Sequence, residues 1–305
     1  MKKHKDKMTR KEFLKTSSVA LLGFGVLGVG CKKNSGQDNS GLRKLGKTGI
    51  EISPIGFGAS RTMEPSLVSA ALDAGFFFLD TGRSYSNGQN EVMVGEVIAS
   101  RRKDVVIQSK LRVTLNSQED GSFSEEDVKK ALEGMTASME TSLKALRTDY
   151  IDIMLIHGAT DPEVIYHNSV MAFFEAAKKE GKIRAYGFSS HTNQIELLRA
   201  ANQKKFYEVI MVPYNHKGSY IHMNSGGFSE WDQPALEIEM EKAKKRGVGM
   251  IAMKTCSGGP YAPDEKAEPS FEYALRWVLA QDKVHTFAVA MGNFEQIEEN
   301  RRALP

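Results

Sequence analysis

The stretch EEDVKKALEGMTASMETSLKALR, residues 125–147, runs almost directly into YIDIMLIH, residues 150–157, and the hydrophobic period changes between them. In the first segment apolar residues recur three and four apart, at Val128, Leu132, Met135, Met139 and Leu143. That spacing is one face of an α-helix. The second segment is a short, nearly continuous apolar run that ends in a histidine. It reads as a strand buried on both faces, the kind found in parallel sheets.

The same pair recurs along the chain. Strand-like runs are expected at 50–58, 76–80, 104–110, 150–157, 183–189, 208–214, 247–254 and 285–291. Helix-like segments lie between them, from SLVSAALDAG at 66–75 to NFEQIEENRRAL at 293–304, and many end in Lys, Arg or Gly. Eight strand–helix units in ~260 residues predict a single-domain α/β fold, a (β/α)8 TIM barrel, over residues 43–305. A doubly wound open sheet is the alternative, but it usually has fewer strands and a glycine-rich first turn.

In such barrels the active site lies at the carboxyl ends of the strands. Three consecutive runs end in ionisable groups here: Asp80, Lys110 and His157, with Tyr85 five residues beyond Asp80. Each alone is an ordinary structural residue; together on adjacent strands they predict a site. A phenol beside an ammonium is drawn toward a lower pKa, and a carboxylate holds the ammonium charged. Tyr85 is then expected to act as a general acid tuned by Lys110 and Asp80, with His157 donating to a substrate oxygen. The histidines show neither H-x-H after the first strand nor H-E-x-x-H, so no metal is expected. Arg83, between Asp80 and Tyr85, is read either as meeting an anionic substrate group or as a solvated loop residue. Trp231, Tyr220 and His222 in the long segment 215–233 are read as pocket-lining or as ordinary surface.

The formal charge of +3 does not signal nucleic-acid binding. Residues 1–15 hold seven Lys/Arg against two acids, and the body that follows has 34 basic against 36 acidic residues. The basic start and the uncharged TSSVALLGFGVLGVG at 16–30 form an export signal too short to span a bilayer as a mature helix. TRKEFLK resembles a twin-arginine signal with Lys11 in place of the second arginine, and LGVGC resembles a lipoprotein cleavage box ending at Cys31. Residues 1–31 are thus expected to direct export to the periplasm or, through a lipidated Cys31, to a membrane, with 32–42 as a flexible tether. Gly23, Gly25 and Gly28 spell G-x-G-x-x-G, but no strand precedes them and no helix follows, so the match is discounted. Cys31 and Cys256 are too few for a disulfide framework.

The body resembles the aldo-keto reductase superfamily over residues 43–302. The motifs are LGKTGIEISPIGFGA, ALDAGFFFLDTGRSYSNGQNEVMVGEVI, SLKALRTDYIDIMLIHG, GKIRAYGFSSH, GVGMIAMKTCSGG and AMGNFEQIEEN, in that order. The resemblance implies a catalytic tetrad of Asp80, Tyr85, Lys110 and His157, acting with NADP on an aldehyde, ketone or sugar. It implies Ser189 and Ser190 at the nicotinamide carboxamide and Tyr214 stacked on its ring. Lys254, Thr255, Cys256, Ser257 and Gly258 would follow the pyrophosphate, with Gly292, Gln296, Glu299 and Asn300 near the adenosine. Met211 stands where a glutamine is common, and no Lys or Arg after the eighth strand grips a 2′-phosphate, so NAD stays open. The superfamily also includes potassium-channel β-subunits, which implies a redox-sensing binding module as the alternative function.

Overall fold

A computed structural model describes residues 41–222 and 226–304. The expected signal segment and most of the tether lie outside the described residues. The chain opens with a short antiparallel pair, β1 (Arg43–Lys44) and β2 (Glu51–Ile52). Eight parallel strands then close into a barrel in the order β3 (Ile55–Gly58), β4 (Phe78–Asp80), β5 (Val106–Leu111), β6 (Ile151–Ile156), β7 (Ile183–Ser189), β8 (Val209–Pro213), β11 (Gly249–Met253) and β12 (Thr286–Ala290). The expected (β/α)8 barrel is therefore found. The predicted first strand splits in two, because Ile52 caps the barrel floor while Ile55–Gly58 joins its wall.

Helices α1 (Pro65–Asp73), α2 (Gln89–Ile98), α3 (Glu125–Ala145), α4 (Pro162–Ile165), α5 (Asn168–Lys179), α6 (Gln194–Lys204), α7 (Gln233–Lys245), α8 (Phe271–Ala280) and α9 (Phe294–Arg302) follow the strands. Several start at the caps that physics favours. Ser124, Asp161, Asp232, Ser270 and Asn293 each accept a backbone N–H from the first turn. Segment 215–233 is not a plain loop: β9 (Ser219–Ile221) and β10 (Phe228–Glu230) pair as an antiparallel hairpin over the rim.

Strand residues alternate between two cores, as a period of two requires. Outward residues such as Leu79, Ile107, Met154 and Ile210 pack under the helices. Inward residues Phe78, Ile153, Leu155, Met211 and Ile251 fill the barrel, and Leu45, Ile50 and Ile52 plug its amino-terminal end. Gly56 and Gly187 make room for this filling. A Cβ on Gly56 would lie 2.1 Å from the Phe78 ring, and one on Gly187 would lie 1.6 Å from the Val209 carbonyl. Opposite the plugged floor, a cavity opens at the carboxyl ends of the strands.

Candidate active site

The inward parity of each strand decides what reaches that opening. On β4 it carries Phe78 and then Asp80, and on β5 Gln108 and then Lys110. On β6 it carries Ile153 and Leu155 and lands on His157, one residue past the strand. Asp80 and Lys110 are almost fully buried, at 5% and 2% exposure. The Lys110 ammonium donates to Asp80 Oδ1, to the Thr81 carbonyl at 2.8 Å and to Tyr85 Oη at 3.1 Å. Gln108 Nε2 donates to the same Asp80 oxygen at 2.6 Å. The rings of Tyr85 and His157 meet edge to face, 5.6 Å apart. Asp80, Tyr85, Lys110 and His157 all line one cavity of 220 Å³, so the structure brings the four predicted residues together.

Burial sets their protonation. It is the largest influence on Tyr85 and pushes the phenol above its ordinary value, although Lys110 pulls it down. The expected net lowering is thus corrected: desolvation of a phenolate outweighs one ammonium already neutralised by Asp80. Burial also opposes the charge on Lys110, but Asp80 and Tyr85 together hold its pKa above the ordinary value. His157 is held down to about 3 by burial and then by Lys110, His191 and Arg112, so its ring is neutral at physiological pH. The Ser84 hydroxyl lies 3.1 Å from His157 Nδ1. When it donates there, Nε2 keeps the ring proton and is the free donor.

Ser189 faces the same cavity, its Oγ donating to the Ile156 carbonyl at 3.2 Å. Lys254, Thr255, Cys256 and Ser257 line it as well. A second cavity of 720 Å³ shares Arg61, Ile221, Cys256, Ser257, Val289 and Ala290 with the first and runs to the start of α9. Gly292, Gln296, Glu299 and Asn300 all line it. The two cavities form one groove.

Three predicted contacts are not found along that groove. Tyr214 follows inward-facing Met211 by three residues, so parity turns it out. Its ring is fully buried against Trp277, 5.4 Å away, and its hydroxyl donates to Glu237 at 2.8 Å. Met253, inward at the end of β11, lines the cavity instead. Ser190 is also outward and spends its hydroxyl on the Thr192 carbonyl. Gly258 packs against Asn215, where a Cβ would come within 2.9 Å of Oδ1, and lines neither cavity.

Sequence reading missed Arg61, His191 and Met253, all cavity-lining. The rule that strand ends carry the site, applied to β3, β7 and β11, would have found them. His191, held down to about 4 chiefly by burial, stands between His157 and His222, with ring centres 6.5 and 6.4 Å away. Of the hairpin residues expected at the pocket, His222 lines the far cavity, whereas Tyr220 and Trp231 pack near one another and line neither cavity.

The groove suits an anionic dinucleotide. Arg61 and Lys254 stand at its middle, and the Lys254 pKa is lowered chiefly by burial and then by the nearby Arg61. Thr255 Oγ1 is buried there beside the Cys256 thiol, which it helps to hold down, and meets no well-aligned hydrogen-bond partner among the described residues. Such an atom awaits a ligand group or water.

The model of the Aldo/keto reductase family matches residues 58–273. An uncharacterized oxidoreductase of Bacillus subtilis, YqkF, is 28% identical over 86% of this chain and 90% of its own length. A probable voltage-gated potassium channel subunit beta of Arabidopsis thaliana is 31% identical over 86% of this chain and 90% of its own. Among solved structures, the holo form of aldo-keto reductase AKR11C1 from Bacillus halodurans superposes with a TM-score of 0.66 at 24% identity, covering 86% of this chain and 90% of that one. With its closed barrel and the family match across most of the body, the chain belongs to the aldo/keto reductase family of oxidoreductases.

Proposed function

We propose that this enzyme interconverts a small aldehyde, ketone or sugar and the corresponding alcohol, with a nicotinamide dinucleotide held in the groove. One observation carries the reading. A buried, protonated phenol, an ammonium 3.1 Å from it and a neutral imidazole edge-on to it share a cavity with the groove's near end. When bound, the nicotinamide supplies or accepts the hydride. Ser189 would hold its carboxamide end, with Arg61, Lys254, Thr255, Cys256 and Ser257 along the middle. Gly292, Gln296, Glu299 and Asn300 would hold the adenosine end.

Tyr85 gives its proton to the carbonyl oxygen. The Lys110 charge stabilises the phenolate left behind, and Asp80 keeps that charge in place. His157 Nε2–H donates to the same oxygen, and because the ring is neutral it does so without competing to protonate it. NADP is the first candidate and NAD the second. Arg61 is the one cation among the described residues lining the far cavity, and Glu299 is an acid there. The potassium-channel relative favours a second reading, a slow redox-sensing module; the intact tetrad geometry favours turnover. The export signal of residues 1–31 and lipidation of Cys31 are further proposals, and a mature chain that begins before residue 31 would refute both.

The test is titration of nicotinamide fluorescence with NADPH and NADH, with Tyr85→Phe assayed on a carbonyl panel. Tight binding of at least one cofactor and a loss of ~10³-fold in kcat for Tyr85→Phe are expected. Binding of neither, or full activity in Tyr85→Phe, would overturn the reading.

A further inference from the structure

Tyr85 sits on a turn that does not hold itself. After it come Ser86, Asn87 and Gly88 with φ of 48°, 52° and 86°, three successive left-handed residues of which two are not glycine. Such backbone persists only when its surroundings fix it. Just beyond it stands Glu91, in the first turn of α2 and without solvent exposure. Its Oε2 lies 2.6 Å from Arg83 Nη1, and its Oε1 accepts from Ser109 Oγ at 2.5 Å. Ser109 is the outward neighbour of Lys110, and the Arg83 N–H donates to the Lys110 carbonyl at 3.1 Å. The Arg83 guanidinium lies over Gly88, where a Cβ would meet Nη2 at 1.3 Å. Beside it, Asn90 accepts from the Thr81 hydroxyl at 2.7 Å and donates to the Ala59 and Thr62 carbonyls.

Neither Arg83 nor Glu91 lines the cavity. Both earlier readings of Arg83, as a substrate contact and as a solvated loop residue, are thus replaced. Glu91 is also not placed for its own comfort. Burial raises its pKa against the pull of Ser109, Arg83, Ser142 and Lys110.

We propose that Arg83, Glu91 and Ser109 form a bracket that sets the distance between Tyr85 and Lys110, making them positioning residues of the reaction. The inference rests on the reading of Tyr85 as proton donor. Loosening the bracket lets Tyr85 drift from Lys110, so the phenolate is less stabilised and the phenol holds its proton to higher pH. The charged and titratable groups facing Tyr85 are Lys110, Asp80 and His157, and none is altered by the test.

The experiment compares Glu91→Gln, Arg83→Met, Arg83→Lys, Ser109→Ala and Tyr85→Phe in the full chain. It reads kcat against pH, cofactor Kd and Tm. In Glu91→Gln and Arg83→Met, kcat is expected to fall ~10- to 100-fold with cofactor Kd unchanged, as misplacement of a reacting group by about 1 Å does. The basic limb of the profile moves to higher pH in both. These two variants remove opposite charges, so a direct field on Tyr85 would move the limb in opposite directions, and that result would overturn the proposal. Arg83→Lys, which keeps a cation, retains most of the rate. Ser109→Ala, which removes one hydrogen bond, shows the same shift at smaller size and serves if Glu91→Gln does not fold. A parent rate and parent limb in Arg83→Met and Ser109→Ala, with Tm alone lowered, would also overturn it. If Tyr85→Phe is inactive while the bracket variants match the parent, the bracket fails and the proton-donor reading stands. If Tyr85→Phe keeps the parent rate, both fail.

Discussion

The two ends of the barrel each bury a carboxylate among cations, and they use it differently. At the floor, Asp152 on β6 accepts from Arg102 at 2.9 Å and the Ile107 N–H at 2.9 Å on one oxygen, and from Arg184 at 2.6 Å on the other. Arg102 donates further to Thr148 and to the Val105 and Tyr150 carbonyls. This network is saturated. At the mouth, Asp80 holds Lys110 and Gln108, but the atoms around them are not all satisfied. Gln108 Oε1, His191 Nδ1, His222 Nδ1 and Thr255 Oγ1 are buried without hydrogen-bond partners among the described residues. The same chemistry, completed, holds a fold together; left incomplete beside a cavity, it waits for a ligand.

Paired substitutions put that contrast at risk. Asp80→Asn should lower kcat ~10²-fold or more, since it frees Lys110 from its anchor, and should also lower the urea midpoint, since the buried ammonium loses its counter-charge. Asp152→Asn should lower the urea midpoint alone. It leaves the buried charge of Arg102 uncompensated and should cost ~3 kcal/mol in urea unfolding, with kcat per folded molecule unchanged. Equal losses of kcat per folded molecule from both would erase the distinction between the ends. Thr255→Val removes a buried hydroxyl set beside the weakly bonding Cys256 thiol. Its Tm should hold or rise, while cofactor Kd weakens by ~5- to 10-fold, the worth of about one hydrogen bond. Unchanged Kd would mean that this hydroxyl meets no ligand.

A further effect is on pH. His157 at about 3, and His191 and His285 at about 4, are neutral in the fold. Unfolded, each takes up a proton near 6.5. Acid therefore favours the unfolded chain: this stability is complete above 6.5 and is lost as pH falls from 6.5 toward the folded values, at up to ~1.4 kcal/mol per pH unit for each ring. Urea midpoints at pH 7.5 and 5 measure it, and His191→Gln should flatten the slope. A midpoint that does not fall at pH 5 would refute these shifts.

The barrel was legible because a period of 3.6 gave way to short apolar runs eight times. The tetrad was legible because its members end adjacent strands. What escaped depended on counting through strand ends. Tyr214 lies an odd number of residues beyond inward-facing Met211, and Ser190 one beyond inward-facing Ser189, so both turn outward. The Tyr85 pKa was misjudged in direction because the sequence names charges but not the depth at which they lie. The Arg83–Glu91 pair was invisible since nothing in eight residues of spacing says that a helix will fold its first turn back over the turn before it.

The plug of Leu45, Ile50 and Ile52 has a consequence for orientation. The chain enters the body at the sealed end, where Arg43 reaches the His285 carbonyl and Lys47 donates to the Gly247 carbonyl. The body is thus a vessel with its stem at the base and its mouth at the top. The polypeptide therefore joins the body at Arg43 on the end opposite the opening that leads to Tyr85.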